Sequence, residues 1–306
     1  MFPHLLDCAA DRAYPSPFQM ITSSLPRPGV DTQASSSGPT IGDTLRNGPF
    51  NAQENRILVA YCLRLSREQL ITRSDHRLTS EESRLLAAAF ARRSAGEPIA
   101  YITGVREFYG LSLKVGSEVL IPRPDTELLV DLALERAVPG AEVVDLGTGS
   151  GAIGVALGRT RLDLQVTATD VSPAALAIAR ENAALHRVRI RFVESNWYDR
   201  LGGSRFDLVV ANPPYIVSGD PHLAEGDLRF EPINALTDHG DGLTALRILI
   251  DGAPAHLKPQ GWLLLEHGYN QAGAVRALLE TRGFTAVGSW PDLAGIERVS
   301  GGRLPV

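Results

Sequence analysis

Lysine is almost missing from this sequence. Of its 30 cationic residues only Lys114 and Lys258 are lysines, and the rest are arginines. The formal net charge of −5 leaves no excess of positive charge of the kind that holds nucleic-acid phosphates without regard to sequence. Cysteine is scarce too. Cys8 and Cys62 can supply neither a disulfide framework nor a metal quartet, which fits a reducing compartment. The seven histidines are scattered, with no pair at metal-ligand spacing. No apolar run approaches the roughly 20 residues of a membrane span, and the N-terminus lacks the basic region and apolar core of a secretory signal. No internal repeat is visible. These absences point to a cytoplasmic protein. What is present is 306 residues with 44% hydrophobic content, enough for a buried core in one large or two modest domains.

Residues 1–45 are rich in Pro, Ser, Gly and Thr, have no hydrophobic period, and are expected to form a disordered tail. From 46 to 98 the pattern turns helical. Ile57, Leu58, Tyr61, Cys62 and Leu65 fall on one helical face. Ser66 with Gln69, and Thr79 with Glu82, have the spacing of capping boxes. Gly96-Glu97-Pro98 stops the last of these helices. Residues 99–124 read as short strands at Tyr101-Ile102, Glu107–Tyr109, Leu111–Val115 and Val119–Ile121, a β-hairpin linker. The prolines of Ile121–Glu127 forbid helix, after which Asp125 or Thr126 is placed to cap one running through Leu128, Leu129, Leu132 and Ala133. Beyond Glu142 strands and helices alternate. Strands are predicted at Glu142–Leu146, Leu164–Thr169, Ile190–Val193, Phe206–Ala211, Trp262–Glu266, Phe284–Gly288 and Glu297–Ser300. Helices are predicted over 152–158, 173–185, 242–257 and 270–282. That alternation predicts an α/β fold with a doubly wound, mostly parallel sheet covered on both faces.

The first of these strands runs into Asp145-Leu146-Gly147-Thr148-Gly149-Ser150-Gly151. Glycines let a chain turn tightly and approach a ligand closely, and the helix that follows aims N–H groups at whatever binds there. Gly149 to Gly154 also spells GxGxxG, which alone would suggest a dinucleotide. Asp145 argues otherwise: read as lying at the mouth of the turn, it would repel a pyrophosphate but tolerate a cationic sulfonium. The pattern therefore favours S-adenosylmethionine over NAD. Asp170 ends the second strand, where a carboxylate can accept both ribose hydroxyls; it can equally cap the helix opening at Ser172-Pro173. Trp197, after the third strand, is a candidate wall for the adenine ring or a plain core residue.

Asn212-Pro213-Pro214-Tyr215 follows the fourth strand, Phe206–Ala211. Two prolines end the strand and stiffen the backbone. They fix a carboxamide, adjacent carbonyls and an aromatic ring, the parts needed to hold a planar amide or amine: acceptors for its N–H groups and a wall for its flat face. In a doubly wound sheet ligands bind at the carboxyl ends of strands where strand order reverses, so this motif and the glycine loop are expected to open into one crevice.

These residues resemble the peptide-chain-release-factor glutamine N5-methyltransferases. The resemblance is carried by Gly96–Tyr101, Arg106–Gly110, Ile121–Glu127, Asp145–Gly151, Ser195–Trp197, Asn212–Tyr215, Gly226–Pro232 and Leu264–Gly268, and spans about residues 50–304. It implies a Rossmann-like class I methyltransferase domain, residues 125–306, behind the helical domain of residues 46–98, which would dock the substrate. It implies transfer of a methyl group from S-adenosylmethionine to the glutamine of the Gly-Gly-Gln tripeptide in class I release factors. Asp145, Gly147, Thr148, Gly149, Ser150, Gly151, Asp170, Trp197 and Asn212 would hold the cofactor. Asn212, Pro213, Pro214 and Tyr215 would hold the glutamine, with the Asn212 oxygen and the Pro213 carbonyl accepting its two amide hydrogens and Tyr215 packing on it. Arg229 and Glu231 are expected to order the lip of the site or to pair with each other. Glu266 and His267 either support its floor or are ordinary loop residues. Two alternatives stand beside this reading. An enzyme methylating adenine N6 or guanine N2 would use the same clamp on a flipped base, but the stretch from Tyr215 to Asp241 is acidic. A non-catalytic cofactor-binding module would have no need to keep Asn212.

Overall fold

The computed structural model describes residues 38–306, which fall into two compact units dividing at Ala95/Gly96. Most of the expected tail, residues 1–37, lies outside the described residues. Its last part does not fit the expectation: Thr40 caps a helix, α1 (Ile41–Asn47), through a reciprocal box with Asp43. The apolar Ile41 that this helix buries is the reason it folds back, since it packs with Val59, Leu70 and Leu78. Three further helices follow, α2 (Ala52–Leu63), α3 (Arg67–Thr72) and α4 (Ser80–Ser94). Both capping boxes read from the sequence form: Ser66 accepts from Gln69 N at 3.2 Å, and Thr79 from Glu82 N at 3.2 Å.

The second unit opens with a helix, α5 (Ile99–Thr103), where strand was expected at Tyr101-Ile102. The expectation weighed β-propensity; burial of Ala100 and Ile102 and the left-handed Gly104, which ends the turn at φ 73°, decided for helix. A hairpin of β1 (Val105–Phe108) and β2 (Leu111–Lys114) follows. Val119–Ile121 is irregular rather than strand, yet Val119 and Ile121 are buried against Ala100 and Ala175.

The remaining elements in chain order are α6 (Glu127–Arg136), β3 (Glu142–Leu146), α7 (Ala152–Thr160), β4 (Gln165–Asp170), α8 (Pro173–Leu185), β5 (Ile190–Glu194), β6 (Phe206–Ala211), α9 (Ile233–Leu236), α10 (Thr244–His256), β7 (Leu257–Glu266), α11 (Ala272–Thr281), β8 (Thr285–Pro291) and β9 (Glu297–Arg303). β3 to β9 form one sheet in the order β5-β4-β3-β6-β7-β9-β8, in which β9 alone runs opposite to the other six strands. The central strands β3 and β6 and the second half of β7 read as near-continuous apolar runs because both faces are covered: Val143 and Val210 belong to one core layer, Val144 and Val209 to the other. The order reverses between β3 and β6, so their carboxyl ends flank the crevice, as the topology rule requires.

Two polar devices hold the frame. Asn182 of α8, fully buried, receives Lys114 N at 2.7 Å and donates to Ser150 O at 2.8 Å, joining the hairpin to the glycine loop. At the opposite end of the sheet Lys258 Nζ bridges Glu142 at 2.7 Å and Asp207 at 2.8 Å, linking the first turns of β7, β3 and β6. No helix among the described residues is long and apolar enough to cross a membrane.

Candidate active site

A cavity of about 290 Å³ lies at the carboxyl ends of β3, β4 and β6. The loop after β3 forms its floor. Gly147, Gly149 and Gly151 take φ of 73°, 55° and 83°, the left-handed region in which side chains are strained. The N–H groups of Gly147 and Thr148 both bond Thr169 O, at 2.9 and 2.8 Å, which pins the loop to β4.

Asp145 does not lie at the mouth of this turn. It is fully buried and is not among the cavity walls. One oxygen, Oδ2, accepts from Thr148 Oγ1 at 2.6 Å and from Gly154 N at 3.1 Å, while Oδ1 has no partner. Burial pushes its carboxyl up to about 6, against those two hydrogen bonds. Its role is to brace the loop against the start of α7, so the electrostatic argument that placed it beside a ligand fails. The strand that carries it is buried on both faces, which leaves its side chain no path to the crevice.

Asp170 does line the cavity. Its Oδ2 accepts from Gly149 N and its Oδ1 from Ser172 N, each at 2.9 Å, and burial raises its pKa. The helix cap that was its alternative role belongs to Ser172, which receives Ala175 N. Trp197 closes this side, with φ at 48° and its ring against Gly147: a Cβ on Gly147 would stand 3.1 Å from the indole. Close packing of ring on backbone is what requires glycine there.

Asn212 and Pro214 line the other side of the cavity; Pro213 and Tyr215 do not. Asn212 Nδ2 donates to Thr126 Oγ1 at 3.2 Å. Thr126 precedes α6 and was expected as a possible cap, but neither it nor Asp125 caps the helix: a 3-10 turn over Pro124–Thr126 leads in, and the Thr126 hydroxyl meets Asn212 instead. The Tyr215 hydroxyl donates to Glu266 Oε1 at 3.3 Å, and the Tyr215 carbonyl accepts from Gln271 Nε2 at 3.0 Å. Glu266 is fully buried at the end of β7. Desolvation drives its carboxyl up to about 7; the hydroxyls of Thr126 and Tyr215 work against that, Asp125 adds to it, and Arg298 opposes it.

Glu231 does not pair with Arg229. One of its oxygens is ion-paired with Arg123 and the other accepts Ile121 N at 3.0 Å, so the Gly226–Pro232 segment is fastened to Ile121–Glu127. Burial raises the Glu231 carboxyl and Arg123 opposes the shift. The two fastened segments form the remaining wall through Pro122, Thr126 and Pro232, with Val119 and Ala235 flanking them. His267 stands apart from the cavity. Its Nδ1 meets Gly268 O at 2.9 Å, its Nε2 meets Ser300 Oγ at 2.7 Å, and burial lowers its pKa, all of which describe a neutral structural imidazole.

The glycine loop, Asp170, Trp197 and Asn212 thus converge on one cavity. Thr126, Gln271 and the Arg123–Glu231 pair are added by the fold. For Thr126 and the Arg123–Glu231 pair the unusual Ile121–Glu127 and Gly226–Pro232 segments were the available signal; for Gln271 there was none.

The family model described as "Methyltransferase small domain" matches residues 122–226, and that described as "PrmC N-terminal domain" matches residues 43–104. The release factor glutamine methyltransferase of Burkholderia pseudomallei is 54% identical over 276 residues, covering 87% of this chain and 96% of that protein. That of Neisseria gonorrhoeae is 48% identical over 252 residues, covering 82% and 92%. Among solved structures, a methyltransferase from Pyrococcus furiosus superposes with a TM-score of 0.51 at 19% identity, covering 72% of this chain and all of that one, a likeness of fold.

Proposed function

Because the chain belongs to the release factor glutamine methyltransferase family, we propose that it methylates the side-chain amide nitrogen of the glutamine in the Gly-Gly-Gln motif of class I release factors. The methyl donor is S-adenosylmethionine and the setting is the cytoplasm. The observation that carries this reading is the cavity shared by the glycine loop, Asp170, Trp197 and Asn212.

The residues present fit that cofactor. Where a Cβ would stand on Gly149 there is open space, so a ligand can reach the backbone. Each Asp170 oxygen is engaged by one N–H group, which leaves lone pairs for two hydroxyls. The Trp197 ring offers a flat wall. When bound, S-adenosylmethionine supplies a methyl group on a cationic sulfur, already electrophilic. Asp170 and Trp197 would hold its nucleoside end and the 147–151 loop its charged tail.

An amide nitrogen is a poor nucleophile because its lone pair is delocalised into the carbonyl. With Nδ2 engaged by Thr126, the Asn212 side chain has its oxygen to offer to one amide hydrogen. In this reading the Pro213 carbonyl would take the other and Tyr215 would flank the amide, although neither lines the cavity, whose wall at this point is Pro214. Charge can then build on nitrogen with the lone pair aimed at the methyl. Orientation of this kind supplies up to about 7–11 kcal/mol in favourable cases. The N-methyl amide loses its proton after transfer, so no strong base is required.

The test is transfer of labelled methyl from S-adenosylmethionine to a purified bacterial release factor, beside its Gln→Ala variant in the tripeptide, with mixed RNA and DNA as competing acceptors. Label on the unmodified factor alone is expected. Label on nucleic acid would replace this reading with base methylation, and cofactor binding without transfer would replace it with a binding module.

A further inference from the structure

A second groove, of about 950 Å³, lies at the opposite ends of the strands from the candidate active site. The first residues of β3, β4, β5 and β6 all line it: Glu142, Gln165, Ile190 and Phe206. Its charge is uneven. Two carboxylates line it, and both are already neutralised, Glu142 by Lys258 at 2.7 Å and Asp163 by Arg161 at 2.6 Å. Arg180, Arg189, Arg191 and Arg205 line it as well, and among the described residues none of them pairs with a carboxylate. Arg205 donates to Leu257 O at 3.0 Å, Arg180 lies 5.5 Å over the Phe192 ring, and the side chains of Arg189 and Arg191 are exposed to solvent. These cations stand around a free edge. β5 is the first strand in the sheet order and pairs with β4 alone, so the outward backbone N–H and C=O groups of Ile190–Glu194 have no strand beside them. Side chains alternate along a strand, so Arg191 points to the face opposite Ile190 and Phe192, which pack on the core. Arg189 stands two positions before it, just outside the strand. Arg180, from α8, covers the other face at Phe192, so positive charge lies on both sides of the edge.

We propose that the edge of β5 is a docking site for an extended acidic segment of a partner protein, added to the sheet as a further strand. The β5 backbone supplies main-chain hydrogen bonds, and the arginines select carboxylates at alternate positions of the guest. Charges on an edge repel strands of like sign; an acidic strand is the one that these arginines admit. A polynucleotide fits less well. Single-strand sites offer flat rings on which bases stack, but of the two aromatic rings in this groove Phe206 is buried and Phe192 is covered by Arg180. The proposal does not depend on the reaction, since the strands that line this groove carry the candidate active site at their other ends.

The experiment titrates the full chain with a fluorescein-labelled peptide in which Glu alternates with Val and Thr. The same peptide carrying Gln in place of Glu, and a single-stranded oligouridylate of equal length, are titrated beside it, each followed by anisotropy. Amide hydrogen exchange with and without the acidic peptide locates the contact, and thermal melting checks the fold of each variant. The acidic peptide is expected to bind, more weakly as salt is added, and to slow exchange at the amides of Ile190–Glu194. The double variant Arg189→Gln with Arg191→Gln, both at exposed positions, should bind it about 3- to 30-fold more weakly, as two solvent-exposed ion pairs allow, with its melting temperature kept. The Gln peptide should lose affinity for the unmodified chain to a similar extent. Absence of binding, equal affinity for the Gln peptide, affinity indifferent to the double substitution, or protection that appears away from β5 would each overturn the proposal. Tighter binding of the oligouridylate than of the acidic peptide would overturn it in favour of a phosphate-binding groove.

Discussion

Asn212 sits where three demands meet. It ends β6, it borders the cavity, and its carboxamide is held from behind by Thr126. Removing it takes away one oriented acceptor without opening the core, since the residue is only half-buried. Asn212→Ala should therefore lower turnover by roughly 10²–10³ while the cofactor still binds, a split that single-turnover kinetics beside calorimetry would detect. Residues of this sort were legible because they sit in short local patterns with a chemical rationale: glycines at a strand end, a carboxylate one strand on, an amide before two prolines. Thr126 was not, because its partner is 86 positions away and its local context pointed to a helix cap. Asp145 was legible as important but misplaced, since a sequence does not say which way a residue at a strand end turns. The Glu231–Arg123 pair, 108 positions apart, was out of reach for the same reason as Thr126.

At the scale of elements the site depends on how closely α7 and the two wall segments are drawn together. α7 packs glycine against its surroundings: a Cβ on Gly158 would stand 2.4 Å from Val188 Cγ1. Gly158→Ala should destabilise the fold by about 1–3 kcal/mol through overpacking, with cofactor affinity preserved because Gly158 lies about two helical turns beyond the loop; chemical denaturation and calorimetry together check both halves. Glu231→Ala would free the Gly226–Pro232 segment from Ile121–Glu127. The loss should be about 2–3 kcal/mol, at or below the usual cost of breaking a buried pair, because the Arg123 side chain remains 31% exposed and can rehydrate. Its KM for the protein substrate should rise as that wall loosens. The order of strands and helices was readable from alternating periodicity, and the capping boxes marked two helix starts to the residue. Among the elements that differed, α5 and the irregular Val119–Ile121 are short apolar stretches whose state is settled by what they pack on rather than by their own pattern; α1, the short α9 and the first half of β7, from Leu257, were not anticipated either.

For the molecule as a whole, buried acids make stability depend on pH in an unusual direction. Glu266 binds its proton more tightly folded than unfolded, since burial lifts its pKa from 4.5 to about 7. The stability linked to that proton is present below the unfolded value and is lost as pH rises through the folded one. Asp145, lifted to about 6, acts in the same sense at lower pH. His267, whose pKa is lowered, works the other way wherever the unfolded imidazole is still partly protonated, around and below its ordinary value of 6.5. Between pH 6.5 and 8 the unmodified chain loses the Glu266 contribution, under about 1 kcal/mol, while His222, raised beside Asp220, adds to the loss and the deprotonation of unfolded His267 offsets part of it. Denaturant titrations across that interval should therefore show a stability falling more steeply with pH in the unmodified chain than in Glu266→Gln, the difference being the Glu266 contribution.

The lysine that ties β7 to β3 and β6 exposes the sheet to a kind of damage that arginine would not suffer. An acetyl group on Lys258 would erase the cation between Glu142 and Asp207 and leave two carboxylates facing each other with no counter-charge. Because that amine is partly open to solvent, brief treatment with an acylating reagent should mark it. The resulting protein would fray at the end of the sheet remote from the cavity, visible as faster amide exchange at the first residues of three strands while the crevice keeps its shape.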